Sequence, residues 1–148
     1  MSKFLAHFVS LFAVLLICGN SASHAQTLPA SDAVFQQFGG KAGIDKILAD
    51  FLPLLLADER IKDTFKDADM DRLGNLLAEQ FCQLTGGPCT YSGKDMREAH
   101  KDMQLNNAQF NALAEDLQLA MEKNGVPSSA QNKLIAKLAP MQRTVVTR

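Results

Sequence analysis

The chain contains 148 residues, of which 47% are hydrophobic and 21% are charged, and its formal net charge is −1. A chain of this length forms one globular domain, and a nearly neutral composition without a basic run argues against a nucleic-acid-binding surface. The sequence contains no glycine-rich phosphate loop and no CxxC or HExxH motif. It therefore lacks the common patterns of nucleotide-hydrolysing proteins and zinc enzymes.

The first 25 residues have the pattern of a secretory signal peptide. Lys3 supplies a positive charge, residues 8–18 form an apolar run, and a small-x-small cleavage pattern ends at Ala25. A transmembrane anchor is the alternative, but it needs about 20 uninterrupted apolar residues, and this run is shorter. We therefore expect cleavage after Ala25, a periplasmic location, and no membrane span in the mature protein.

After cleavage, residues 26–33 are expected to form a flexible tail, and residues 34–148 are expected to form the single domain. Within these bounds Ser31 can cap a short helix, Asp32–Phe38, which Gly39 and Gly40 end.

Residues 41–61 form the next predicted helix, because their apolar side chains recur at helical spacing. A bend is expected after Leu52, since Pro53 lacks a backbone donor and its ring clashes with the preceding turn. A short helical turn is expected over residues 59–65.

The third strong helix is predicted to begin after Asp69, whose carboxylate can cap it, and to end at Gly86. Its apolar stripe contains Met70, Leu73, Leu77, Phe81 and Leu84. A short polar helix carrying His100 is expected next.

Two further helices follow in the pattern. The first begins after Asn106 or Asn107 and ends at Asn124 and Gly125, and the last has Pro127 in its first turn and a bend at Pro140. No stretch alternates with the period of two expected for a strand, so the predicted fold class is all-α.

Two cysteines, Cys82 and Cys89, remain after signal cleavage. In an oxidising compartment they can form a disulfide across a short loop, although two partly buried free thiols are an equally admissible state, because geometry decides the pairing. A zinc site built from both cysteines, His100 and a carboxylate is a third interpretation, and it is disfavoured by the spacing.

His100 is the only histidine after signal cleavage, and Met96 and Met103 lie one turn to either side. A structural histidine is one interpretation, and an axial ligand to the iron of a planar macrocycle is the other. The side chains predicted to line such a slot are Phe51, Phe65, Leu73, Leu77, Phe81, Met96, Met103 and Phe110. Without a CxxCH motif, attachment of the macrocycle would be non-covalent.

Several sequence strings, in order and spacing, resemble those of the group I truncated haemoglobins. They are FQQFGGKAGIDKIL, FLPLLLADERIKDTF, DMDRL, GGPCTYSGKDMREAHKDM, NNAQFNAL and NGVP, and the resemblance covers about residues 34–146. The resemblance implies a two-over-two helical sandwich around haem b.

The resemblance also implies individual roles. It places His100 at the proximal iron ligand and Phe65 against the porphyrin face, while Phe81, Met96 and Phe110 fall on positions that line the haem. Arg72 is placed to meet a haem propionate, where a guanidinium suits a carboxylate, with a solvent-facing arginine as the alternative.

The sequence departs from this family in the distal pocket. The family's usual tyrosine directly after the counterpart of Phe51 is Leu52 here, and a frequent glutamine on the distal helix is Leu77, with Leu73 nearby. Gln80 or Tyr91 could replace the lost donor, and Met70 could act as a sixth ligand, although packing at the helix start is its simpler role.

A donor to a charged partner contributes roughly 1.5 to 3 kcal/mol, so its loss would speed O₂ dissociation about ten- to hundredfold. We therefore expect a monomeric haem b protein that binds diatomic gases reversibly and favours NO and CO. An NO dioxygenase or peroxidase served by an electron-donor reductase, and a helical interaction module without haem, are the alternatives.

Overall fold

The computed structural model describes residues 30–148, and helices make up most of this part of the chain. The α-helices are α1 (Ala30–Gln37), α2 (Gly40–Ala57), α3 (Met70–Thr85), α4 (Met96–Ala99), α5 (Asn107–Lys123), α6 (Ser128–Leu138) and α7 (Gln142–Val145), with 3₁₀ turns at Lys62–Phe65 and Ala139–Met141. The described residues contain no strand, so the predicted all-α class is confirmed. The predicted signal peptide and its cleavage site lie outside the described residues.

Most helix boundaries follow the capping residues in the sequence. The Asp69 side chain accepts a hydrogen bond from the backbone N–H of Arg72 at the start of α3, and Gly86 ends that helix with a φ of 89°. At the start of α5, Asn106 and Gln109 form a reciprocal capping box. These side chains satisfy backbone groups that a helix end leaves unpaired, which explains why the boundaries could be predicted.

Two boundaries differ clearly from the predictions. Helix α1 begins at Ala30, so residues 30–33 are helical rather than part of a tail, because adding a turn to an existing helix costs little. Helix α2 continues through Pro53 and ends at Ala57. It ends there because the Asp58 carboxylate accepts the backbone N–H of Arg60 and forms a local turn.

The core lies where α2 packs against both α3 and α5, with α6 closing the other side. Its largest fully buried side chains include Ile44, Ile47, Phe51, Leu55, Leu117, Met121 and Leu134. At the edge of this core, the Asp50 carboxylate accepts hydrogen bonds from Lys123 and Asn124, which joins α2 to α5. The four helices thus form two facing pairs.

The C-terminal segment returns to the loop that follows α4. Val146 forms an isolated parallel bridge with Leu105, and the backbone N–H groups of Thr147 and Arg148 both donate to the Leu105 carbonyl, at 3.0 and 3.1 Å. Within residues 30–148, no helix is long and apolar enough to cross a membrane.

Candidate functional site

A cavity of about 360 Å³ lies between α3 on one side and the α4 region with α5 on the other. The C-terminal elements close it, and nearly all of its lining side chains are apolar. From the sequence prediction, the lining includes Phe51, Phe65, Leu73, Leu77, Phe81, Met96, His100, Met103 and Phe110. The structure therefore brings together the residues expected to surround a flat, apolar cofactor.

His100 is the only histidine among the side chains that line this cavity. It lies at the C-terminal cap of α4 rather than inside the short helix predicted for it. Its Nδ1 lies 2.8 Å from the carbonyl oxygen of Met96. Because a carbonyl oxygen can only accept, Nδ1 must carry the hydrogen, and Nε2 keeps the lone pair that a metal requires.

Two residues of the sequence prediction do not line the cavity. Leu52 lies against α3 instead: a Cβ built on Gly74 would be only 3.0 Å from its Cδ1. Arg72 is exposed in the first turn of α3, because the helical step of one residue rotates it away from the face that carries Leu73. Of the three residues predicted for the distal pocket, Leu73 and Leu77 therefore line the cavity and Leu52 does not.

The sequence also offered Met70, Tyr91 and Gln80 as residues that could act on the distal side, and the structure shows where each lies. Met70 is not part of the cavity lining. The Tyr91 hydroxyl donates to the Lys94 carbonyl at 2.9 Å, and burial raises the pKa of Tyr91. Gln80 is buried and lines the cavity, with its Nε2 3.7 Å from the sulfur of Met96. Both replacement donors considered from the sequence therefore have a partner within the protein, Lys94 for Tyr91 and Met96 for Gln80.

The sequence prediction missed much of the apolar lining. The additional side chains include Leu55, Ile61, Leu76, Leu113, Leu117, Ile135, Leu138, Met141 and Val145. The helical stripes of α5 and α6 indicated an inward face for several of them. The local sequence does not distinguish a residue that lines the cavity from one that fills the core, because apolar side chains occupy both kinds of position.

The two cysteines form a disulfide, with a Cα–Cα distance of 5.8 Å between Cys82 and Cys89. It closes the loop around the helix-ending Gly86 and Gly87. Among residues 30–148, no three histidine, cysteine or acidic side chains lie close enough together to hold a metal ion. The zinc interpretation is therefore wrong for the described part of the chain.

Comparisons with known proteins agree on one family. The model of the bacterial-like globin family matches residues 33–147. A group 1 truncated haemoglobin of Tetrahymena pyriformis is 36% identical over 100 residues, covering 68% of this chain and 83% of the relative. One from Mycolicibacterium paratuberculosis is 29% identical over 119 residues, covering 80% and 86% of the two chains.

Solved structures give the same result. The Fe(III) crystal structure of the Tetrahymena pyriformis truncated haemoglobin superimposes with a TM-score of 0.74 at 31% identity, covering 78% of this chain and 98% of that one. The 2/2 haemoglobin of a Synechococcus species, solved in the cyanomet state with covalently attached haem, has a TM-score of 0.72 at 26% identity, with the same coverage of both chains.

Proposed function

Because this chain belongs to the group I truncated haemoglobins, we propose that it binds haem b through His100 and holds a diatomic gas reversibly. The observation that carries this proposal is the imidazole at the cavity wall. Its Nδ1 is committed to the Met96 carbonyl, which leaves Nε2 for iron.

The chemistry of the cavity fits this cofactor. A porphyrin is flat and largely apolar, and the cavity offers aromatic side chains at Phe51, Phe65, Phe81 and Phe110 together with two methionines. Haem iron, when bound, supplies a coordination site for O₂, NO or CO. The chain has no CxxCH motif, so the protein contributes one axial nitrogen and hydrophobic contact rather than a covalent thioether link.

The wall contributed by α3 favours less polar gases. Leu73 and Leu77 present hydrocarbon to the cavity, and neither can donate a hydrogen bond. A donor to a charged partner contributes roughly 1.5 to 3 kcal/mol, so its absence accelerates O₂ dissociation about ten- to hundredfold. NO and CO depend less on such a donor. We therefore propose gas binding with a preference for NO and CO, rather than NO dioxygenation.

The substitution His100→Ala tests the ligand assignment. Wild-type protein reconstituted with haem should show the absorption spectrum of a histidine-ligated haem, and the variant should lose it and recover it with added imidazole. Lys101→Ala, which removes an exposed neighbour on the same loop, is the matched control and should leave the spectrum unchanged. An identical spectrum in His100→Ala would refute the assignment.

The substitution Leu77→Gln tests the apolar wall. It places an amide on the side of α3 that lines the cavity, and we expect O₂ dissociation to slow about tenfold while CO dissociation changes little. Stopped-flow ligand replacement measures both rates. Equal effects on the two gases would contradict the role assigned to this wall.

We also propose that the chain is exported to the periplasm by its first 25 residues. The support is the charged start, the short apolar run and the cleavage pattern that ends at Ala25. Mass spectrometry of a periplasmic extract should find a mature chain that begins at Gln26. A chain that retains residues 1–25 in the cytoplasm would overturn this proposal.

A further inference from the structure

The segment that carries His100 has little hydrophobic support of its own. No residue from 86 to 104 is buried, and α4 contains only four residues. Isolated helices of this length are unstable in water, so contacts outside the helix must hold the segment in place. Helix α7 packs against α4 and supplies part of this support. The polar and covalent contacts come from one stretch of α3.

Two polar side chains of α3 bind the backbone that leads into α4. The Glu79 carboxylate accepts hydrogen bonds from both the backbone N–H and the hydroxyl of Ser92, at 2.9 and 2.7 Å. The Gln83 side-chain carbonyl accepts the backbone N–H of Tyr91. The two bonds to Ser92 lower the pKa of Glu79, so its carboxylate is charged at neutral pH and its hydrogen bonds are strengthened.

The third contact reaches the histidine through a single residue. Gln80 is only 8% exposed, and its Nε2 lies 3.7 Å from the sulfur of Met96. The carbonyl of the same Met96 accepts from His100 Nδ1 at 2.8 Å. Met96 is thus held by α3 at its side chain and orients the imidazole with its backbone, so a displacement of Met96 would also turn the ring.

The fourth contact is covalent. The Cys82–Cys89 disulfide fixes the start of the same segment to α3. Residues 79, 82 and 83 lie on one face of α3, because they are spaced by three and four positions, while Gln80 faces the cavity. Residues 79–83 of α3 therefore contact the histidine segment at four residues, Cys89, Tyr91, Ser92 and Met96.

We propose that Glu79, Gln80, Cys82 and Gln83, here called the α3 clamp, are positioning residues. Together they fix the orientation of the His100 imidazole toward the haem iron. This inference rests on the haem ligation proposed above. Each contact is weak alone, since an ordinary hydrogen bond contributes about 0.5–1.5 kcal/mol, and the sulfur of Met96 is a weak acceptor. Acting on one short segment, the four contacts replace the hydrophobic burial that it lacks.

The test uses three single variants of the full chain: Glu79→Ala, Gln80→Leu and Cys89→Ala. We expect each to fold and bind haem, to shift the iron–histidine stretching frequency in the resonance Raman spectrum of the ferrous protein, and to lose haem roughly two- to tenfold faster to an apoglobin acceptor. Glu79→Gln keeps an acceptor oxygen and should restore most of the wild-type behaviour. Circular dichroism establishes that each variant is folded.

The matched control is Glu122→Ala. It removes a carboxylate that accepts a side-chain hydrogen bond from Gln118 on α5, far from His100 in the chain. This variant should leave both the stretching frequency and the rate of haem loss unchanged. A shift as large as that of Glu79→Ala would mean that general loosening of the fold explains the effect, and the clamp would be rejected.

The remaining outcomes separate this inference from the proposed function. Wild-type protein that binds no haem would refute the haem proposal and the clamp with it. Wild-type protein with a histidine-ligated spectrum, and folded clamp variants with unchanged frequency and haem loss, would refute the clamp alone. A Gln80→Leu variant that shifts only the C–O stretch of the CO complex would place the Gln80 amide on the gas side and overturn its positioning role.

Discussion

The α2–α3–α5 core and the segment that carries His100 are stabilised by different physical means. The core consists of long helices whose apolar side chains are almost fully buried, such as Ile47 and Leu117, at 1% and 0% exposure. The histidine segment has no buried residue from 86 to 104 and is held by hydrogen bonds and a disulfide to α3, together with the packing of α4 against α7. The proposed haem ligand, His100, therefore lies on the part of the domain that contributes least to the core.

This difference predicts that stability and cofactor affinity respond to different substitutions. Hydrophobic burial spreads its contribution over the whole domain, whereas a few polar contacts control one short segment that can open locally while the rest of the domain stays folded. Changes in the core should lower the free energy of unfolding. Changes in the histidine segment should alter the haem environment first.

The largest expected effect on stability comes from Ile47→Ala in α2. Ile47 is fully buried and does not line the cavity, so the loss of its side chain leaves a void and should cost about 2–5 kcal/mol in the free energy of unfolding. Urea denaturation of the apoprotein measures this cost. The haem spectrum of the folded fraction should match wild type, and an altered spectrum would contradict the separation of the two regions.

Gly87→Ala tests the junction between the two regions. A Cβ at this position would lie 2.6 Å from the ring of Phe35 and 2.7 Å from the sulfur of Cys82. Overpacking of this kind costs about 1–3 kcal/mol, and here it presses on both α1 and the disulfide. We expect lower stability in urea and faster haem loss together. An effect on stability alone would assign Gly87 to the core, and an effect on haem loss alone would assign it to the histidine segment.

Two helix caps of the same type allow a direct comparison. Asp69 accepts the backbone N–H of Arg72 in α3, and Asp95 accepts that of Glu98 in α4, at 3.0 and 2.9 Å. Asp69→Ala should cost about 0.5–2 kcal/mol of global stability. Asp95→Ala should change global stability less, because α4 can open by itself, and should instead speed amide exchange around His100. Equal global costs would show that α4 belongs to the core.

The smallest effect concerns a buried acid in the core. Asp116 is 5% exposed, its Oδ2 has no partner in the described part of the chain, and burial raises its pKa above the ordinary 3.8. The folded state then holds its proton more tightly than the unfolded state, so stability falls as pH rises above about 4. Asp116→Asn should flatten this decline, with a change under about 1 kcal/mol at neutral pH.

Asp50 provides the control of opposite sign. Hydrogen bonds from Lys123 and Asn124 lower the pKa of its carboxyl, so its contribution is present at neutral pH and is lost as pH falls. Urea midpoints of Asp50→Asn and Asp116→Asn, each compared with wild type at pH 7 and at a pH well below 3.8, should therefore change in opposite directions. Parallel movement would mean that burial of Asp116 does not control its proton.

Local chemistry made much of the fold predictable. Asp69, Asn106 and the glycines at 86 and 125 are residues whose preferred backbone or side-chain geometry ends or begins a helix. His100 could be singled out as a candidate ligand because it stands alone between two methionines, and all three side chains line the cavity. These features depend on residues within one or two turns of each other, which a sequence displays directly.

The rest depends on contacts that the sequence does not display. The placement of Leu52 against Gly74, instead of in the cavity, follows from the close approach of α2 and α3. Asp116 follows the acidic Glu115 directly in the sequence, yet it is buried. Glu79 and Gln83 of the clamp lie beside the apolar stripe that explains the packing of α3, so the sequence gave no separate signal for them.

The hydrogen bonds at the end of the described chain have a practical consequence for handling the protein. The amides of Thr147 and Arg148 share the carbonyl of Leu105, only five positions beyond His100. An affinity tag fused at this point, or a deletion of the last two residues, would pull on or release that carbonyl. Comparisons of colour between preparations should therefore use identical C-terminal sequences.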